Sequence, residues 1–205
     1  MGATVLHPEA VFPVRQAGIT VNIRNTNEPE HPGTRIVSGI DAEGRAAPPE
    51  SPYPITGIAG RKDFTVISLE KALMNEQIGY GEQVLGVLTR LGVSFEHMPS
   101  GIDTLSIVVA DQQLAGKRQA LLEHLQRELE PDTVEVDPDL ALIATVGRGM
   151  KTKPGRAAKL FTALAEAGVN IRMIDQGSSE LNIIVGVHKD DFDTAVRAIY
   201  AAFVD

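Results

Sequence analysis

One stretch of this chain occurs twice. Met74–Val108, MNEQIGYGEQVLGVLTRLGVSFEHMPSGIDTLSIV, returns without a gap at Met150–Ile184, MKTKPGRAAKLFTALAEAGVNIRMIDQGSSELNII, displaced by 76 positions. Gly79 falls on Gly155, Gly92 on Gly168, Gly101 on Gly177, Leu88 on Leu164 and Met74 on Met150. A period of this kind marks a supersecondary unit used more than once. Whatever one copy folds into, the other must fold into as well.

The first copy reads as helix, strand, turn, strand. Val84, Leu85, Leu88 and Leu91 form an apolar helix stripe, and Gly92 supplies a stop. Val93, Phe95 and His97 alternate with Ser94, Glu96 and Met98, which predicts a strand. Pro99–Asp103 turns the chain into a returning strand over Leu105–Val109. A strand over Phe64–Leu69 precedes these elements, and a helix marked by Leu121, Leu122, Leu125 and Leu129 and a strand over Val134–Val136 follow. The order is β-α-β-β-α-β, the split βαβ plan. The second copy runs Leu140–Val146, Gly155–Ala167, Val169–Ile174, Leu181–Val187 and Asp191–Phe203, and then the chain stops one strand short. An open place in a sheet exposes backbone donors, and Ile55–Gly60 is the strand left over to fill it. The expected fold is therefore α+β: two ferredoxin-like βαββαβ domains, the first inserted into the second. The first spans 64–137, and the second is 55–60 plus 138–205.

Ahead of the repeat, Pro8 opens a short helix closed near Gly18, Ile19–Ile23 alternates as a strand, and Asn27–Thr34 is turn-rich. One helix and one strand bury no core, so 1–37 reads as the border of another domain. Residues 38–54, rich in proline and glycine, read as a linker. A net charge of -8 and a pI near 5.1 argue against nucleic acid and anionic membranes as partners. No apolar run is long enough to span a bilayer. The absence of cysteine excludes disulfides and thiolate metal sites and agrees with a reducing compartment, for which the cytoplasm is the default.

Chemistry has one natural place. In the first copy a strand runs through the loop Asn75–Gly81 into a helix, and a helix start presents unsatisfied N–H groups to an anion. Gly79 and Gly81 let a ligand approach the backbone, and Glu96 offers an anion for an ammonium group. Donors for a carboxylate beside an acceptor for an amine describe a free amino acid. A second reading of the same residues is a plain turn beside a solvated strand, and both stand at this point. The second copy has Pro154 near its helix start, lacks a counterpart of Gly81, and carries Arg172 where the first has Glu96, which suits a packing role. Gly147-Arg148-Gly149 lacks the third glycine of a dinucleotide loop. The five histidines share no metal-ligand spacing, Ser178-Ser179-Glu180 is a turn, and no catalytic triad or phosphate loop is visible.

The chain resembles the C-terminal regulatory region of aspartate kinases (aspartokinases), with tandem ACT domains. The resemblance is carried by GATVLHPEAV, IRNTNEPEHPGT, FTVISLEKALMN, SFEHMPSGIDTLSIVV and GMKTKPGRAAKLFTALAEAGVNIRMIDQGSSELNIIV, nearly the whole chain. It implies a part of an enzyme that phosphorylates the side-chain carboxylate of L-aspartate with ATP, toward lysine, threonine and methionine. The Lys-Phe-Gly-Gly motif of the kinase domain is absent, so the chain is expected to be regulatory and not catalytic alone. The resemblance implies no cofactor, a homodimer through the ACT domains, and a catalytic domain or subunit as partner. An amino-acid effector would be held between first ACT units by Met74, Gln77, Gly79, Tyr80, Gly81, Phe95, Glu96 and Ser100. Gly79, Tyr80 and Gly81 would hold the carboxylate and Glu96 the amine. The MPSGID turn with an aromatic before Glu96 is associated with lysine-sensitive members, which makes lysine the expected effector and threonine the alternative. A dimerisation module with no ligand is the rival reading.

Overall fold

The computed structural model describes residues 6, 8–37, 54–147, 150 and 154–204. The chain divides into Met1–Pro52 and Tyr53–Asp205. In the first part, helix α1 (Pro8–Gln16) ends as the glycine stop predicts, with Gly18 at φ +68°. Strand β1 (Val21–Ile23) pairs antiparallel with β2 (Thr34–Ile36), a strand the sequence pattern did not announce. The Asn27–Thr34 loop between them is tied by Arg24, which donates to the carbonyls of Pro29 and His31. Phe12 and Ile19 remain exposed. The linker expected over 38–54 lies, except for Pro54, outside the described residues.

The second part is built on two long strands. Strand β3 (Gly57–Glu70) and β5 (Thr133–Val146) pair antiparallel along nearly their whole length. With β4 (Thr104–Ala110), β6 (Ile171–Asp175) and β7 (Asn182–His188) they form one five-stranded sheet, ordered β4-β3-β5-β7-β6. The sequence suggested four separate short strands where these two stand. Arg61-Lys62-Asp63 and Asp137-Pro138-Asp139 look like breaks because charge and proline are poor strand formers. The chain instead passes through each with an irregularity: Asp63 has φ 70° and Asp139 φ 65°, and the β3–β5 register shifts between Arg61 and Phe64. Asp63 and Asp139 are themselves 76 residues apart.

Each half of a long strand serves a different copy. Phe64–Glu70 pairs with Thr104–Ala110, while Gly57–Arg61 pairs with Leu142–Val146. Leu140–Val146 pairs in turn with β7. The result is two ferredoxin-like units, the first inserted into the second.

The helices cover each unit on one side. In the first unit α2 (Tyr80–Leu91) buries Tyr80, Val84, Val87 and Leu88, and α4 (Arg118–Leu129) buries Leu121, Leu125 and Leu129. Val87 takes the core place that periodicity gave to Leu85, which is half-exposed. A one-turn helix α3 (Asp111–Leu114) leads into α4. In the second unit α5 (Arg156–Glu166) and α6 (Phe192–Val204) do the same with Leu160, Leu164, Ala195, Ile199 and Phe203. Helix ends repeat with the sequence. Gly92 (φ 58°) and Gly168 (φ 71°) are left-handed, and the next N–H reaches back five residues in both copies, Val93 to Leu88 and Val169 to Leu164.

Strand alternation sends the remaining apolar residues to a third core. Ile67, Leu69, Ile107 and Val109 face the first unit's helices, whereas Phe64, Val66 and Val108 face the other way and meet Leu140, Leu142 and Ile184. Those six are three repeat-related pairs, so the units share a core on their helix-free faces. The strand predicted over Val93–Met98 is corrected. This segment makes only isolated bridges, His97 to Val108 and Ser100 to Leu105, and Phe95 and Glu96 are both exposed, so strict alternation fails. As the sheet edge beyond β4, it has a partner on one side alone.

Candidate functional site

The start of α2 is prepared by the backbone rather than by side chains. Leu73 (φ 60°) turns the chain into a single 3-10 turn over Met74–Glu76, and Gly79 (φ 83°) caps α2 without a side-chain hydrogen bond. A residue with a Cβ would be strained at that φ. The Gly79 carbonyl accepts the first helical bond from Gln83 N–H at 3.0 Å, and Tyr80 N–H reaches the Gln77 carbonyl at a long 3.4 Å. Gly79 offers no side-chain cap to the first-turn N–H groups, and a Cβ on Gly81 would meet nothing within 4 Å. The amides lie at the positive end of the helix, and the Glu82 carboxylate stands 3.8 Å from where a Cβ on Gly79 would be.

Three bonds hold this loop to the 102–103 turn. Lys71 N–H donates to the Asp103 carbonyl at 2.8 Å, Leu73 N–H to Asp103 Oδ1 at 2.9 Å, and Asn75 N–H to the Ile102 carbonyl at 3.2 Å. Ser100, exposed, bridges to Leu105 beside that turn. Met74 and Tyr80 enter the same neighbourhood by their backbones, but their side chains are buried in the first core. The Tyr80 hydroxyl is buried with no hydrogen-bond partner among the described residues. Burial, with the Asp132 charge adding to it, raises its pKa above the ordinary tyrosine value. Gln77 is partly exposed.

Glu96 sits elsewhere along the sheet. Its N–H bonds the Val108 carbonyl at 2.8 Å, four residues in from Thr104, or roughly 13 Å from the strand end where the loop is anchored. Its carboxylate is not alone: Arg61 Nη2 donates to Glu96 Oε1 at 3.0 Å, with both side chains about 40% exposed. The Arg61 guanidinium also lies 4.6 Å from the centre of the Phe64 ring. The next residue, His97, contacts Asp175 at 2.8 Å. Phe95 is 41% exposed. The exposed large apolar residues of the first unit are Leu73, Ile78, Leu85, Phe95 and Ile102, and Ile78 is 98% exposed. They lie on the loop, on the turn it is tied to, on the edge segment and on α2.

Sequence reasoning missed Arg61. The signal was available, because the position 76 residues after Arg61 is Asp137, just as Arg172 follows Glu96. In the second unit Arg172 Nη1 donates to Asp137 Oδ1 at 2.5 Å. The same two positions are joined in both copies with the charges exchanged. The second copy's loop, Lys151–Lys153, lies outside the described residues, as does Arg148-Gly149. No group of three or more metal-ligating side chains gathers among the described residues. An open groove of about 560 Å³ between α4 and the first half of β5 is lined by Leu122, Glu123, Gln126, Arg127, Val134 and Val136, none of them a candidate residue.

Known proteins resemble this chain along its whole length. The pattern of the ACT domain family matches residues 143–203. Aspartokinase 3 of Bacillus subtilis is 40% identical over 98% of this chain and 43% of its own. The crystal structure of Clostridium acetobutylicum aspartate kinase superposes with a TM-score of 0.87 and 52% identity, over 99% of this chain and 45% of that one. The ligand-free regulatory subunit of aspartate kinase from Thermus thermophilus gives a TM-score of 0.63 and 28% identity, over 73% of this chain and 98% of that one. The chain thus spans less than half of the first two proteins, while nearly all of the third lies within it.

Proposed function

We propose that the chain is the regulatory, ACT-containing region of an aspartokinase, and that its first ACT unit senses an amino acid and sets the activity of a kinase domain. The observation that carries this reading is the helix start at Gly79–Gly81, which has no side-chain cap at Gly79 and follows a loop whose Leu73 and Ile78 are exposed. Glu96 supplies the acceptor for an amine. Glu96 pairs at Val108, four residues in from the end of β4 where the loop is anchored, and a single small ligand is gathered by two copies, the helix start of one and the edge segment of the other. The exposed Leu73, Ile78, Phe95 and Ile102 suit a protein partner on that side. Lysine is the effector of choice, with threonine the alternative. The reaction under control is the ATP-dependent phosphorylation of the L-aspartate side-chain carboxylate, in a reducing, cytoplasmic setting.

The control is linkage. An effector bound across two first units favours one arrangement of the dimer, and it shifts kinase activity only by its differential affinity for the two states. Couplings of this kind are about 1–3 kcal/mol, a factor of roughly 5–150. Titration calorimetry with lysine, threonine and methionine tests the reading. Lysine should release or take up heat, and Glu96→Ala should weaken its binding at least tenfold while the melting temperature stays put. Silence with every amino acid at millimolar concentration would leave a dimerisation module and nothing more.

A further inference from the structure

We propose that Arg61 is an internal rival for the effector's amine: it holds the Glu96 carboxylate when the site is empty and must be displaced for a ligand ammonium to bind. The inference rests on the amino-acid-sensing reading above. It starts from the ion pair at 3.0 Å, which places a guanidinium on the one carboxylate assigned to the amine.

Arg61 is not an incidental neighbour. It lies at the junction of β3 where the strand passes from one unit to the other: it pairs with Leu142 of the second unit, and the register then shifts before Phe64. The contact to Glu96 therefore ties the second unit's closing strand to the first unit's edge. The mirrored contact, Arg172 to Asp137, ties the first unit's closing strand to the second unit's edge. Two reciprocal clamps join the units, and the exchange of sign decides what each can do. In the second unit the clamp leaves a cation on the edge segment, which repels an amine. In the first it leaves an anion on the edge, and an amine can take the place of the clamp's cation. Only in the first clamp does the carboxylate, the partner an ammonium seeks, stand on the edge segment.

Two consequences follow. The pair is half-exposed and so contributes little by itself, which makes exchange of one cation for another inexpensive. A ligand with its carboxylate fixed at a helix start gains from two anchors, whereas a lone amine must outcompete a tethered guanidinium, so Arg61 acts as a specificity filter. The freed Arg61 belongs to the strand half that closes the second unit, so occupancy of the first unit is felt in the second.

Arg61→Gln, which removes the cation from Glu96 and from the face of Phe64, should bind L-lysine about two- to fivefold more tightly than the unaltered 205-residue chain by calorimetry. Arg172→Gln breaks the mirrored pair and should leave lysine affinity unchanged. Equal or weaker binding by Arg61→Gln, with the unaltered chain binding normally, would overturn the rivalry. Absence of binding in both would instead overturn the sensing reading beneath it. A second measurement does not depend on a variant folding: the Arg61 Nε–H resonance of the unaltered chain should move as lysine is added, and a resonance that stays in place at saturation would refute displacement.

Discussion

Gly60 is where the insertion topology can be tested with one methyl group. It lies in the half of β3 that closes the second unit, under the first residue of α6. A Cβ there would come within 2.6 Å of Phe192 Cε2 and 2.9 Å of the Leu142 carbonyl oxygen. In an ordinary strand Gly→Ala would be stabilising by roughly 0.5–1 kcal/mol, because glycine loses more backbone freedom on folding. Overpacking at such distances costs about 1–3 kcal/mol. Crowding wins, and Gly60→Ala should lose about 1–2 kcal/mol, lowering Tm by roughly 2–8 °C for a unit of this size. The Phe192 ring can be removed, while the Leu142 carbonyl cannot. In a Phe192→Leu background the same substitution should therefore cost at most half as much, and the double-mutant cycle should show coupling above 0.5 kcal/mol. Urea denaturation of the four proteins measures this. A neutral or stabilising Gly60→Ala in the unaltered chain would mean that β3 and α6 do not meet, and the second unit would not be closed by the early strand.

Thr145 is fully buried beside Ile58 and Ile183 with no partner for its hydroxyl among the described residues; an unmet buried hydroxyl costs about 1–3 kcal/mol, so Thr145→Val should stabilise by about 1 kcal/mol in chemical denaturation. The Lys189–Asp139 pair at 2.5 Å gives a pH signature. The hydrogen bond from Lys189 lowers the Asp139 pKa, and the bond to Asp139 raises that of Lys189. The stabilisation is complete above the unfolded aspartate value of roughly 3.9 and is lost as pH falls through the lower folded value. On the basic side it is complete below the unfolded lysine value of roughly 10.4 and is lost as pH rises through the higher folded one. Lys189→Met should flatten both limbs of the Tm–pH profile relative to the unaltered chain, and identical profiles would show that the pair carries no linkage.

The parts of this fold that were legible in the sequence are those written in short-range code. The helices themselves, the glycine stops at Gly92 and Gly168, and the 76-residue period survive in space, with Val87 in place of Leu85 in the α2 stripe, because each depends on a few neighbouring residues. The fused strands were not legible. Asp63 and Asp139 sit in strained backbone that local propensity assigns to turns, and only pairing between β3 and β5 carries the chain through. The edge segment failed for the opposite reason: the sequence alternates, but one-sided bridging to β4 leaves Phe95 and Glu96 both exposed and no regular strand. At the candidate site, Gly79 announced itself by its place before the helix. Arg61 did not, since its partner Glu96 is 35 residues away and the two meet only across the sheet.

The shared third core explains how two copies of one unit came to differ at their surfaces. Phe64 and Leu140, Val66 and Leu142, and Val108 and Ile184 interlock on the helix-free faces. These side chains are buried where the copies touch each other, and a change there is felt by both. The edge positions Glu96 and Arg172 lie outside that core, and their side chains form exposed ion pairs that contribute little to stability. Reversing both charges of one pair keeps the attraction and so costs the fold almost nothing. It nevertheless changes the ligand that the edge admits, from a group that seeks an anion to one that seeks a cation. The rigid core and the exchangeable rim thus separate stability from specificity, and the two long strands keep the rim of each unit mechanically connected to the other.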